Sequence, residues 1–236
     1  MRAIILAAGA GRRLGLETPK SMIPIAGTSI LHRQIEAFRA DGVDDFVVVV
    51  GHRHEQVIDH LCGQAGRFSF IFNERFAETN TIYSLYLARE HITGTFYYAN
   101  ADVVFDRRLI ERLRPCPPAT ALAIQTGSCG REEVKVIVED GRVRRISKQL
   151  DPEACLGEFV GVARFGGELA AAFVDALETC VEREGVVDDY FERAVDRLCP
   201  EWTLAPVDVS DLPCIEIDFP DDLHRARHEV APRLLV

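Results

Sequence analysis

The residues most able to do chemistry lie at the start of the chain, in Leu6-Ala7-Ala8-Gly9-Ala10-Gly11-Arg12-Arg13-Leu14 and then Pro19-Lys20-Ser21-Met22-Ile23-Pro24-Ile25-Ala26-Gly27. A glycine-rich turn at the end of an apolar run lets backbone N–H groups approach a phosphate or a base closely, because glycine has no Cβ to obstruct it. Arg13 and Lys20 then supply cations that can neutralise triphosphate oxygens while the α-phosphorus is attacked. A dinucleotide-binding Gly-x-Gly-x-x-Gly fails at its third glycine, where Leu14 stands, and the Gly-Lys-Ser/Thr ending of a P-loop is absent. The bland alternative is a tight turn with solvated arginines, and the length of the pattern argues against it.

Two aspartates complement these cations. Asp102 ends Tyr98-Ala99-Asn100-Ala101-Asp102, and Asp218 ends Glu216-Ile217-Asp218-Phe219-Pro220. Magnesium prefers octahedral oxygen ligands and takes only one or two protein carboxylates beside phosphate oxygens and water, so a widely spaced pair suffices. An aspartate after a strand is more often a helix cap or turn former; two of them after the glycine turn point to a Mg2+ site. His52 and His54 with Glu55 lack a third ligand, and His224 and His228 have no further ligand nearby, so all are left out as metal residues.

The elements that must position these groups follow a βαβαβ rhythm: apolar runs at 3–8, Asp45–Val50 and 68–73 alternate with amphipathic stretches at Ile30–Ala40 and 55–61, the latter beginning near His54. The four valines 47–50 suit a strand buried on both faces. A helical period over 82–90 precedes a strand at 95–99, which carries Asp102 to a carboxyl end, where open α/β sheets bind ligands. After the prolines at 115, 117 and 118 the pattern changes to strands at 119–125, 134–139 and Arg142–Ser147, with Asp140-Gly141 as a two-residue hairpin turn. Helices at 169–184 and 190–198, short strands at 202–207 and 214–217, and a closing helix at 221–230 complete the reading. The expected fold is α/β: a Rossmann-like mixed sheet, mostly parallel and flanked by helices, with an antiparallel insertion in the second half, forming one domain over 1–236.

The stretch from Leu6 to Gly27 resembles the signature of the sugar-nucleotidyltransferase superfamily, whose sheet is glycosyltransferase-A-like. The resemblance implies that the loop from Leu6, Ala7 and Ala8 through Gly9, Ala10 and Gly11 contacts a nucleotide, that Arg13 and Lys20 bind its phosphates, and that Mg2+ bridges the α-phosphate to Asp102 and Asp218. Within the superfamily the chain is most similar to small cytidylyltransferases acting on phosphocholine, inositol phosphate or aminoethylphosphonate. Three stretches carry that closer likeness: Asn80-Thr81-Ile82-Tyr83-Ser84-Leu85; Glu133-Val134-Lys135-Val136 with Ile146-Ser147-Lys148; and Gly157-Glu158-Phe159-Val160-Gly161-Val162-Ala163. By the same likeness Asn80 and Ser84 lie by the nucleoside and Lys148 grips the acceptor's phosphate, with Lys135 also counted to the acceptor. An ammonium is a compact charge that can follow a tetrahedral anion, although a lone lysine at a hairpin end is usually solvated. Glu158, Asp188, Asp189 and Tyr190 suit a cationic acceptor head, while Asp188-Asp189 serves equally well as a helix N-terminus.

The expected partners are CTP and a small phosphorylated or phosphonate acceptor, in an enzyme that releases pyrophosphate and forms, in one arrangement, a homodimer. The rivals are a hexose-1-phosphate nucleotidyltransferase using UTP, dTTP or GTP, and a catalytically silent nucleotide-sensing module. A glycosyltransferase is disfavoured because Asn100-Ala101-Asp102 lacks an Asp-x-Asp pair. A net charge of −10 argues against wrapping a nucleic-acid backbone. Seven scattered cysteines without a Cys-x-x-Cys pair suggest neither a disulfide framework nor zinc and fit a reducing cytoplasm. The first apolar run breaks too early for a signal peptide, and no segment reaches the ~18 apolar residues of a membrane span.

Overall fold

The computed structural model describes residues 1–9, 11–15, 18–114 and 120–235, so Ala10 and the prolines at 115, 117 and 118 lie outside the described residues. The first half is built from β1 (Arg2–Ala7), a small hairpin of β2 (Pro24–Ile25) and β3 (Thr28–Ser29), α1 (Ile30–Ala40), β4 (Asp45–Val50), α2 (His54–Leu61), β5 (Arg67–Phe72), α3 (Thr81–Leu87), β6 (Phe96–Asn100), β7 (Val103–Phe105) and α4 (Arg108–Leu113). β5, β4, β1 and β6 lie side by side and run parallel. Both faces of β1 and β4 are covered, which is why their sequences are nearly continuous apolar runs rather than alternating ones. Ser29 caps α1 by accepting from the His32 amide at 3.1 Å, and the helix buries Leu31, Ile35 and Phe38 against the sheet.

The second half continues with β8 (Ala121–Thr126), β9 (Lys135–Glu139), β10 (Arg142–Ser147), β11 (Gly157–Phe165), α5 (Ala170–Glu178), α6 (Glu192–Leu198), β12 (Ala205–Asp208), β13 (Cys214–Glu216) and α7 (Pro220–Arg225). α5 runs on through a wider turn at Thr179–Arg183 and α7 through one at Ala226–Val230. β11 pairs antiparallel with β6, β8 and β9, so the sheet changes direction at the β6–β11 seam. Asp140 and Gly141, both at positive φ (51° and 71°), close the β9–β10 hairpin as their sequence predicts. β11, at nine residues the longest strand, is absent from the periodicity reading, as is the three-residue β7.

One apolar cluster fills each side of the sheet: Ile4, Val47, Val49, Tyr98 and Phe173 on one, Ile5, Phe38, Val48, Tyr97 and Phe105 on the other. Buried Gln34 on α1 donates through Nε2 to the carbonyls of Asn100 (2.8 Å) and Val103 (2.7 Å), clamping the turn that presents Asp102. The Ile217 amide donates to the Asp102 carbonyl at 3.0 Å, bringing the end of β13 to the same place. Among the described residues no helix is long and apolar enough to cross a membrane.

Candidate active site

A cleft of about 570 Å³ opens along the carboxyl ends of β1 and β6. On one of its walls stand Leu6, Ala8, Gly9, Gly11, Arg13 and Lys20. Ala7, buried in β1, does not line it, as expected when successive strand residues point to opposite faces. Gly11 has φ +58°, and a Cβ there would sit 2.9 Å from Lys20 Cγ, so the glycine is what lets the turn and the lysine stem approach. Asn80 and Ser84 line the same wall. Asn80 caps α3, its Oδ1 accepting from the Thr81 amide at 2.8 Å, and Ser84 Oγ accepts from buried Asn73 at 3.0 Å.

Asp102, Glu216 and Asp218 lie at the floor with one carboxylate oxygen from each within 4.8 Å of the others. Lys20 Nζ reaches between two of them, 3.4 Å from Asp102 Oδ2 and 2.5 Å from Asp218 Oδ1. Arg13 stands further out, 3.7 Å from Asp218 and with its guanidinium 5.2 Å from the centre of the Phe219 ring. Burial alone would depress the Lys20 ammonium; Asp102, Asp218 and Glu216 reverse that and hold its pKa above the usual lysine value. Burial raises the Asp102 carboxyl, with Lys20 pulling against it and Asp218 adding to it. Glu216, exposed to the cleft, is also held well above its ordinary value, by partial loss of solvent and then by Asp102 and Asp218. Three mutually repelling carboxylates with one ammonium among them form a site that favours additional positive charge.

On the opposite wall Lys148, directly after β10, places Nζ 4.1 Å from the centre of the Tyr190 ring. Glu158 on β11 and Tyr190 line the cleft with it. Burial, reinforced by Glu133, pushes the Glu158 carboxyl up to about 7. Asp189 is occupied locally, accepting from the Tyr190 amide at 2.7 Å and from Arg193 at 3.1 Å, and it lines a side pocket rather than the cleft. Asp188 is exposed and is among the lining residues of neither cavity. Lys135 is placed differently from the acceptor position expected of it. It is fully buried, and its ammonium donates to the carbonyls of Arg131 (3.3 Å), Glu133 (3.0 Å) and Lys148 (2.7 Å), using all three N–H groups to pin the loop that carries Lys148.

A model of the MobA-like NTP transferase domain matches residues 3–132, more than half of the sequence. The chain belongs to that family. Homologues and structural neighbours of this family member are named nucleotidyltransferases, cytidylyltransferases among them. The chain is 32% identical to a CMP-5'-(3-aminopropyl)phosphonate synthase of Streptomyces rubellomurinus, over 98% of its own residues but only 39% of the longer protein. It is 26% identical to a choline-phosphate cytidylyltransferase of Streptococcus pneumoniae, covering 95% of this chain and 96% of that one. The inositol-1-phosphate CTP transferase from T. maritima has the same fold, with a TM-score of 0.79 at 19% identity over 100% of this chain and 98% of that one.

Two residues of the site escape the sequence reading. Glu216 sits two positions before Asp218, and a strand period of two puts both side chains on one face, a signal that was legible. Glu192, the first residue of α6, lines the cleft with only 4% of its surface exposed. Glutamate in a first helical turn is ordinarily solvated, so nothing local announces its burial.

Proposed function

We propose that the chain transfers CMP from CTP to a small phosphorylated or phosphonate acceptor, such as phosphocholine, 2-aminoethylphosphonate or an inositol phosphate, and releases pyrophosphate. The observation that carries this reading is one cleft in which Gly9, Gly11, Arg13 and Lys20 meet three carboxylates on the floor and face Lys148 across it. CTP is favoured over other nucleotides because the relatives quoted above are named for CMP or cytidylyl transfer.

An acceptor phosphate or phosphonate oxygen is already anionic at neutral pH, so its attack needs no general base. A new P–O bond forms at the α-phosphorus as its bond to the α,β-bridging oxygen breaks, and pyrophosphate departs with that electron pair. Lys148 orients the acceptor anion, while Arg13 and Lys20 offset charge on the triphosphate; catalysis is positioning and charge neutralisation. Asn80 and Ser84 lie beside the nucleoside, and Lys135 holds the Lys148 loop in shape.

The floor fits Mg2+. Its donors are hard carboxylate oxygens that converge, and the Lys20 ammonium already lodges where positive charge is favoured. Asp102 and Asp218 would hold the ion with Glu216 beside them; when bound, it supplies Lewis-acid stabilisation of phosphate oxygens.

The test is pyrophosphate release with Mg2+, crossing CTP, UTP, GTP, ATP and dTTP against phosphocholine, inositol 1-phosphate, 2-aminoethylphosphonate and glucose 1-phosphate. Turnover with CTP and a non-sugar acceptor is the expected result. Turnover confined to glucose 1-phosphate with another nucleotide overturns it in favour of sugar-phosphate activation, and nucleotide binding without turnover points to a sensing module.

A further inference from the structure

Beside the cleft lies a pocket of about 390 Å³ that shares Val134, Lys148, Tyr190 and Glu192 with it. Glu192 is therefore at the junction, buried, and its Oε2 has no hydrogen-bond partner. A buried carboxyl oxygen left unpaired costs free energy and in native proteins usually has a ligand or functional reason. Burial also raises this carboxyl to about 7, so it can take up negative charge near neutral pH once a cation arrives. Lys148 is the cation that favours its ionised form, and that ammonium rests on the Tyr190 ring, the position from which the proposed reaction needs it for the acceptor anion, whereas Arg193 and Arg197 of the side pocket are paired with Asp189 and Glu184.

We infer that Glu192 reads the far end of the acceptor and selects a primary ammonium over a quaternary one. This rests on the acceptor site proposed above and names the class of molecule that fills it: a short dipolar compound, anionic at phosphorus and carrying –NH3+ at the other end. The chemistry of the junction decides between cations. A primary ammonium brings N–H donors and a charge, which together satisfy Oε2 in a charge-assisted hydrogen bond. A trimethylammonium has no N–H and is recognised instead by several aromatic faces. Among the described residues Tyr190 is the one aromatic side chain lining the side pocket, and Lys148 already covers its ring. A neutral polyol could donate to Oε2 but would add no positive charge to the carboxylate's surroundings.

The experiment is calorimetric binding of 2-aminoethylphosphonate, phosphoethanolamine and phosphocholine to the full chain with CTP and a non-hydrolysable analogue of it, for the native protein and for Glu192→Gln and Glu192→Asp. The primary amines are expected to bind on the order of tenfold or more tighter than phosphocholine, with Glu192→Gln erasing the difference and Glu192→Asp restoring part of it. CTP affinity should be the same in all three proteins, which reports an intact fold. Equal or tighter phosphocholine binding by the native protein, retention of the amine preference by Glu192→Gln, or no binding of either class overturns the inference. Because the readout is binding, a lack of pyrophosphate release counts against CMP transfer alone.

Discussion

The two walls of the cleft are built on different principles. The wall assigned to the nucleotide in the proposed reaction grows from the parallel half of the sheet, and beside the cations Arg13 and Lys20 it presents backbone and small residues held by short-range bonding: Gly9 and Gly11, the Asn80 cap of α3 and the Asn73–Ser84 pair. The wall assigned to the acceptor in that proposal grows from the antiparallel half and presents long charged side chains at the ends of β10, β11 and α6, two of them carboxyls that burial lifts to about 7. The family match ends at residue 132, so it covers the first wall and stops before Lys148, Glu158 and Glu192. Backbone, small residues and two cations suit a partner whose phosphates are common to all nucleotides; a wall of carboxyls and one lysine suits the component that differs from one relative's name to the next.

Removing the shared floor should have the largest effect. Asp102→Ala and Asp218→Ala are each expected to lower kcat by roughly 1,000-fold or more, since charge on the transferring phosphorus loses its stabilisation. Circular dichroism should stay native, and CMP transfer at more than about a tenth of the native rate by either variant would remove the carboxylates from the reaction. Lys148→Met breaks the acceptor wall only: about a 100-fold loss in kcat/KM for the acceptor with KM for CTP unchanged, measured at saturating CTP. A matching rise in KM for CTP would mean that Lys148 belongs to the nucleotide wall instead.

The third prediction concerns stability. Burial and then Asp189 oppose ionisation of Glu192, while a backbone hydrogen bond and Lys148 favour it. Its carboxyl titrates near 7 in the folded protein against an ordinary 4.5, so between those values the folded state holds the extra proton and stability falls as pH rises. Glu192→Gln removes that slope. The free energy of unfolding, native minus variant, should decline by about 2 kcal/mol between pH 5 and pH 8 in denaturant titrations without ligand. A pH-independent difference would place the carboxyl in solvent and make the acceptor wall resemble the nucleotide wall.

What the sequence discloses also divides along these walls. The glycine turn, Arg13, Lys20, Asp102 and the strands β1 and β4 are legible because each is a local pattern of composition or period. The same holds for the Asp140-Gly141 hairpin in the second half. β11 escapes because Gly157 and Gly161 interrupt its apolar run; Gly161 sits at φ +74°, close to where the pairing with β8 slips register between Phe159 and Ala163. That glycine is required by space as well, since a Cβ would lie 2.8 Å from the Asn100 side-chain amide. Lys135 and Glu192 are illegible for a different reason: their burial is decided by chain distant in sequence, the Lys148 carbonyl for one and the β10–α6 packing for the other.

The smallest predicted effect separates the two things a glycine can do on the nucleotide wall. Gly11→Ala must adopt φ near +58°, a left-handed conformation that costs an alanine about 1 kcal/mol, and its methyl must displace the Lys20 stem. Lys20 is the arm whose ammonium bridges Asp102 and Asp218, so displacement at Cγ moves the charge at the floor. The expected outcome is about a tenfold rise in KM for CTP with acceptor KM unchanged and a loss of roughly 1 kcal/mol in stability. The same stability loss with KM for CTP untouched would assign the glycine to the turn alone, and close backbone approach would then no longer distinguish this wall from the one facing it.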